Sequence, residues 1–211
     1  GFGLAAAGTG VMIGFRFADA QQPAAPELPA MIKTNPQLNA WVRITPQGEI
    51  TVLTGRVELG QGCLTVMRQI GAEELDVAPE RVTVISGDTA QTPNEGVTAG
   101  SLAVKLGGAA LGHACADARA TLVKVAADAW GVDAATLKVQ DGTIMGADNK
   151  RMGYGEAASK ISLARPVDAN IKRKPASEAK IIGTNYPRVD IPAKVFGQPV
   201  FLHDLRPDGM L

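Results

Sequence analysis

The chain has 211 residues, with 21 basic and 21 acidic side chains and a formal net charge of +0. That length can bury a sizeable core and suits one or two domains, and the balanced charge argues against a nucleic acid as the main partner. Aromatic residues are only 4% of the chain and glycines number 24, a composition for close backbone approach rather than a bulky aromatic core.

In chain order, residues 4–15 form a mild apolar run too short to span a bilayer, and Ala18-Asp19-Ala20 has the A-x-A form of a signal cleavage site. The pair reads as the tail of an export signal of the twin-arginine type; a flexible Ala/Gly-rich arm is the alternative. Residues 21–35, with Pro23, Pro26 and Pro29, read as an extended linker. Residues 40–45 alternate apolar and polar side chains, Pro46-Gln47-Gly48 makes a turn, and residues 49–54 return as a second strand.

After Gly60-Gln61-Gly62, the spacing of Cys63, Val66, Met67 and Ile70 predicts a helix ending near Leu75. Pro79-Glu80 breaks the chain before a strand at 81–85. Residues 86–100 are a polar loop. Ser101 reads as the N-cap of a long helix that reaches Trp130, with Leu111, Cys115, Ala118, Leu122 and Val125 as its apolar stripe. Gly107-Gly108 would let a neighbouring element come close. Asp141-Gly142 predicts a tight hairpin between 137–140 and 143–145, and 154–161 a short helix. The stretch 75–84 echoes 131–139, both a helix end, a break and a strand, which implies repeated α/β units in a layered domain. Residues 165–189 are basic and read as a solvated surface connection. A second, incomplete domain is expected to begin at Asp190 with a hairpin.

The chemistry rests on two loops. Val57-Glu58-Leu59-Gly60-Gln61-Gly62 runs from a strand into a helix start, where backbone N–H groups can hold an anion. The third glycine of a dinucleotide fingerprint is missing, and no Gly-Lys-Ser/Thr follows, so neither a Rossmann turn nor a P-loop fits. Taken alone, the loop is equally a tight strand-to-helix turn. Thr98-Ala99-Gly100-Ser101 is ambiguous in the same way, an N-cap or a second place for a bulky ligand to lie against the backbone. Cys63 and Cys115 belong to no C-x-x-C and read as small buried thiols, with no self-contained metal site. His113 and His203 read as structural, and Glu58, Asp88 and Glu95 as loop carboxylates that could act as general acids or bases.

Glu58-Leu59-Gly60-Gln61-Gly62, Gln69-Ile70, Glu73-Glu74-Leu75, Val82, Pro93-Asn94 and Thr98-Ala99-Gly100-Ser101 together resemble the molybdenum-cofactor-binding region of the xanthine dehydrogenase/aldehyde oxidase family. The order of parts resembles the isoquinoline 1-oxidoreductase-like and membrane-associated aldehyde dehydrogenase large subunits. The resemblance covers roughly residues 38–211 and implies an α+β, layered fold: a cofactor-binding portion over 38–165, a connection over 166–189, and the start of an α/β hammerhead domain over 190–211, preceded by a signal remnant and linker over 1–37.

It also implies that Leu59, Gly60, Gln61 and Gly62 line the pyranopterin, with Thr98, Ala99, Gly100 and Ser101 as the second cradle. The cofactor would be molybdopterin cytosine dinucleotide, serving aldehyde oxidation with water-derived oxygen or, alternatively, hydroxylation of N-heteroaromatic rings. A non-catalytic assembly subunit is the reading from another class. The catalytic glutamate of the family lies beyond Leu211, so no catalytic residue is assigned here. Expected partners are the remainder of the large subunit, a 2Fe-2S iron–sulfur subunit and a cytochrome c subunit carrying haem, in the periplasm, with any membrane association through a partner.

Overall fold

The computed structural model describes residues 2–6, 11–15, 27–198 and 202–210. At the N-terminus β1 (Phe2–Ala6) and β2 (Val11–Phe15) pair antiparallel. They fall in the apolar run read as a signal segment; Ala18-Asp19-Ala20 lies outside the described residues. No described helix is long and apolar enough to cross a membrane.

The chain from residue 27 is not all linker. α1 (Ala30–Thr34) forms a single turn whose Ile32 is completely buried, with Leu28 and Met31 packed against the same core. Burying these side chains favours folding over the extended conformation that the nearby prolines suggest. The expected hairpin is present as β3 (Val42–Ile44) and β4 (Ile50–Thr54), paired Val42 to Val52. Helix α2 (Cys63–Leu75) then crosses to β5 (Val82–Ser86), which lies parallel to β4 with Val52 opposite Val84. The resulting β4–α2–β5 unit places the chain leaving β4 beside the start of α2.

The long helix α3 (Ala109–Trp130) packs on α2, and Leu111, Cys115, Ala118 and Leu122 are fully buried, as their spacing predicted. Its start differs from the expectation. Ser101 has φ +58 and donates or accepts no cap bond; a wide π-type turn, Ala103–Gly108, comes before the α-helix. An N-cap is held in extended conformation, so the left-handed Ser101 closes the loop instead of capping the helix. Beyond α3, β6 (Lys138–Gln140), β7 (Thr143–Met145) and β8 (Arg151–Gly153) form an antiparallel meander. Asp141 and Gly142 both have positive φ, the two-residue turn that matches strand twist. α4 (Tyr154–Ala158) follows, and the Tyr154 hydroxyl donates to Leu75 O at 2.8 Å, joining the second sheet to the end of α2.

The basic segment after residue 165 is docked, not merely solvated. Arg165 donates to both oxygens of the buried Asp117 on α3, and Asp168 N–H donates to the same carboxylate at 2.8 Å. Arg173 pairs with buried Glu74 at 2.7 Å, passing over Gly112, where a Cβ would lie 2.5 Å from the guanidinium carbon. Glu73 accepts the N–H groups of Lys180, Ile181 and Ile182. The charge run therefore forms a strap across α2 and α3, because the helices offer buried carboxylates that need donors. The hairpin expected after Asp190 is absent among the described residues. α5 (Ile191–Val195) is helical there, with Pro192 in its first turn, where a missing N–H costs nothing.

Burial pushes the Glu73 carboxyl up, but the N–H groups of Ile182, Ile181 and Lys180 and the charge of Lys174 outweigh it and hold the group below the ordinary 4.5. A carboxylate held low contributes stability that is complete above the unfolded value and is lost as pH falls through the folded one. The amide NMR signals of Lys180, Ile181 and Ile182 are thus expected to stay constant from neutral pH down to about pH 4.5 and to shift below it. Glu73→Gln should abolish that titration; an unchanged titration in the variant would contradict the assignment.

Candidate cofactor cradle

The two loops singled out in the sequence face each other across one cavity of about 290 Å³, lined by Leu59, Gln61, Thr98, Ala99, Gly100, Ser101, Leu102 and Ala103. The first loop leaves β4 at Gly55; the second precedes the π-type turn. Gly60, Gly62 and Gly100 have φ of +103, +84 and +61, and a Cβ on Gly60 would meet nothing within 4 Å. Only glycine holds such conformations without strain, and the bare backbone leaves room for a ligand to lie on the loop. Leu59 on the cavity wall and Val97, next in sequence to Thr98, are 71% and 79% exposed.

The hydrogen bonds change the expected division of labour. Glu58 bends back over its own loop: Oε1 accepts from Gly60 N–H and Gly62 N–H, both at 2.8 Å, and Oε2 from Leu64 N–H at 3.1 Å. The helix start that could have held a ligand phosphate already holds a carboxylate, which fits the positive end of the α2 dipole. Glu58 is therefore a capping group, not an acid or base.

Gln61 is similarly engaged, its amide donating to Val57 O at 2.9 Å and accepting from Leu59 N–H. The Thr98 hydroxyl accepts from Val57 N–H at 3.0 Å and so ties the loops together. The N–H groups of Gln61, Gly100 and Ser101 take no acceptor among the described residues. These free donors sit on the cavity wall, mostly in the second loop. They fit an anionic, heteroatom-rich ligand lying across both loops, held by backbone more than by side chains.

The remaining candidates are accounted for by structure. His113 Nε2 lies 2.9 Å from Asp168 O in the interior. Asp88 caps its own turn, accepting from Ala90 N–H and Gln91 Nε2. Burial, with Glu58 and Glu95 nearby, pushes the Cys63 thiol up to about 11, which keeps it a protonated, unreactive core group. Cys115 is also buried and free. Among the described residues no three His, Cys, Asp or Glu side chains stand together as a metal site.

Sequence reasoning missed Arg188. Its guanidinium donates to Gly60 O at 2.8 Å, forms two hydrogen bonds with Asp190, and lies 3.5 Å from Glu58. The Arg188 and Lys194 bonds hold the Asp190 carboxyl far below the usual range. A residue 128 positions away cannot be linked to a loop by spacing, and nothing in the local sequence marks it. Arg56 was also missed, although a charged residue two positions past an apolar strand was a signal.

The profile of the molybdopterin cofactor-binding domain family matches residues 1–190. The chain belongs to that family, as the loop motifs implied. It is similar to a nicotinate dehydrogenase subunit of Pseudomonas putida, 30% identical over 83% of this chain and 15% of that protein. It is also similar to the beta subunit of isoquinoline 1-oxidoreductase of Brevundimonas diminuta, 29% identical over 82% of this chain and 27% of that one. A membrane-bound aldehyde dehydrogenase of Gluconacetobacter polyoxogenes, named for pyrroloquinoline quinone, is 32% identical over the whole chain and 28% of its own length. The chain thus spans between 15% and 28% of the length of these relatives.

Removing the Glu58 carboxylate leaves three loop N–H groups without their acceptor. Glu58→Ala is expected to lower unfolding free energy by about 1–2 kcal/mol in denaturant titrations, as for lost helix caps, and to speed amide exchange at Gly60, Gly62 and Leu64. Unchanged exchange at these amides would contradict the capping role.

Proposed function

We propose that this chain is the cofactor-cradling portion of the large subunit of a molybdenum hydroxylase that oxidises aldehydes to carboxylic acids with oxygen from water. The observation that carries the reading is the single cavity shared by Leu59, Gln61 and residues 98–103, found in a chain of the molybdopterin cofactor-binding family. The free N–H groups of Gly100 and Ser101 would receive the anionic part of the pterin. Gly60 and Gly100 would let its ring system rest on backbone, and Leu59 and Val97 would shield its edge from water. When bound, the molybdenum cofactor supplies two-electron oxidation of the substrate carbon. This chain's residues bind and orient that group. The base that serves the reaction lies, in this reading, on the rest of the large subunit.

The aldehyde reading is supported by the relative that aligns with the whole chain. Hydroxylation of an N-heteroaromatic ring is the second reading, supported by the names of the other two relatives. We further propose a cytosine dinucleotide form of the cofactor. Electrons would leave through a 2Fe-2S subunit to a cytochrome c subunit, in a heteromeric complex in the periplasm.

The test is Ala99→Trp, which puts a bulky ring on the cavity lining, in the natively purified complex. Molybdenum and pterin content are expected to fall at least about tenfold, the scale on which an overfilled site is penalised, while the thermal midpoint stays unchanged because the exposed loop can carry the ring. Wild-type metal content in the variant would favour an assembly subunit that holds no pterin. Turnover of straight-chain aldehydes against nicotinate and isoquinoline by the wild-type complex separates the two substrate classes.

A further inference from the structure

The two loops share a buried charge pair that the cofactor reading does not itself require. Arg56 is the last residue before 57–62, and Glu95 lies just before 97–101. Their side chains are 1% and 0% exposed, and Nε and Oε1 face each other at 3.4 Å with no other partner for either atom. Arg56 Nη2 faces Met31 Sδ at 4.0 Å, and other atoms of each group reach towards the other's loop. Arg56 Nη1 donates to Val97 O, and Glu95 Oε2 accepts from the Thr54 hydroxyl at 2.6 Å and Gly55 N–H at 2.7 Å. Ser86 on β5 donates its hydroxyl to Arg56 O, so the sheet fixes the arginine backbone as well. Gly107 in the π-type turn makes room for the pair, since a Cβ there would collide with Glu95 Oε1.

We infer that Arg56 and Glu95 are positioning residues that set the separation and register of the two loops, so that both close on one ligand. The inference rests on the cofactor reading for the identity of that ligand. A buried ion pair is weak evidence of stability: apolar side chains of similar volume commonly serve as well or better, because two charges must be stripped of water. Apolar replacements cannot reproduce bonds aimed at Val97 O, Gly55 N–H and the Thr54 hydroxyl. The distinctive contribution of the pair is therefore the relative placement of the loops, and stability and placement should separate experimentally.

The decisive variant is Arg56→Met combined with Glu95→Leu, which leaves no lone buried charge. Three quantities are read on the full native complex and its cofactor-free preparation: thermal midpoint, amide exchange, and molybdenum content. The expected result is an unchanged or raised midpoint. Exchange at the hydrogen-bonded loop amides of Val57, Gly60, Gly62, Ala99 and Leu102 should be faster on the order of tenfold, the size of one lost coupling between contacting residues, with α2 and α3 unaffected and molybdenum reduced. Unchanged loop exchange overturns the inference. So does a fallen midpoint with uniformly faster exchange, which would make the pair purely structural.

Should the double variant not fold, Arg56→Lys keeps the charge and loses the donation to Val97. The same faster loop exchange is expected from it, and its absence overturns the inference equally. A wild-type complex without molybdenum would sink the cofactor reading while leaving the exchange comparison intact. Molybdenum in the wild type, with equal occupancy and exchange in the variant, would sink the positioning role alone.

Discussion

Carboxylates accepting backbone N–H groups are the interaction on which the rest of this structure depends. Much of the chain is neither helix nor strand, and its buried amides need acceptors. Glu58 serves Gly60, Gly62 and Leu64; Glu95 serves Gly55; Glu73 serves Lys180, Ile181 and Ile182; Asp117 serves Asp168. Charged acceptors make stronger bonds than neutral ones, so a few side chains can fix long irregular segments. Arginines then neutralise three of these carboxylates, Arg56 at Glu95, Arg165 at Asp117 and Arg188 near Glu58.

The cradle follows from that arrangement. β4 and β5 are parallel, so the chain leaving β4 and the chain leaving β5 emerge at the same end of the sheet. Thr54 and Ser86, opposite each other in the ladder, both contribute hydroxyls to the bonds around Arg56 and Glu95. The strap adds a third side, with Arg188 reaching Gly60 O and Val189 N–H donating to the Thr65 hydroxyl. The ligand-facing surface is left as glycine backbone and free N–H groups on a frame whose side chains are committed elsewhere.

Local patterns were readable in the sequence; long-range side-chain roles were not. The hairpin turn at Asp141-Gly142, the stripe of α3 and the bounds of α2 follow from period and turn chemistry. The echo between 75–84 and 131–139 is also real, since Asp76 and Gly131 both end helices in left-handed conformation before a short 3₁₀ turn and a strand. The two glycine loops were found, and their convergence on one cavity followed from the family resemblance. The strap was misread, because a run of Lys and Arg looks solvated until its buried acceptors Glu73, Glu74 and Asp117 are seen, and helix carboxylates give no hint of burial. The start of α2 was read as open to an anion and Glu58 as a loop carboxylate that could act as an acid or base, when four residues of spacing let Glu58 fold back and close that helix start.

The central claim is that this chain holds a molybdenum cofactor between its two loops. Elemental analysis and intact mass spectrometry of the natively purified complex test it most directly. The account expects stoichiometric molybdenum and a bound pterin, with the metal released together with the pterin when the complex is denatured. A homogeneous native complex that contains this chain and neither molybdenum nor pterin would contradict it.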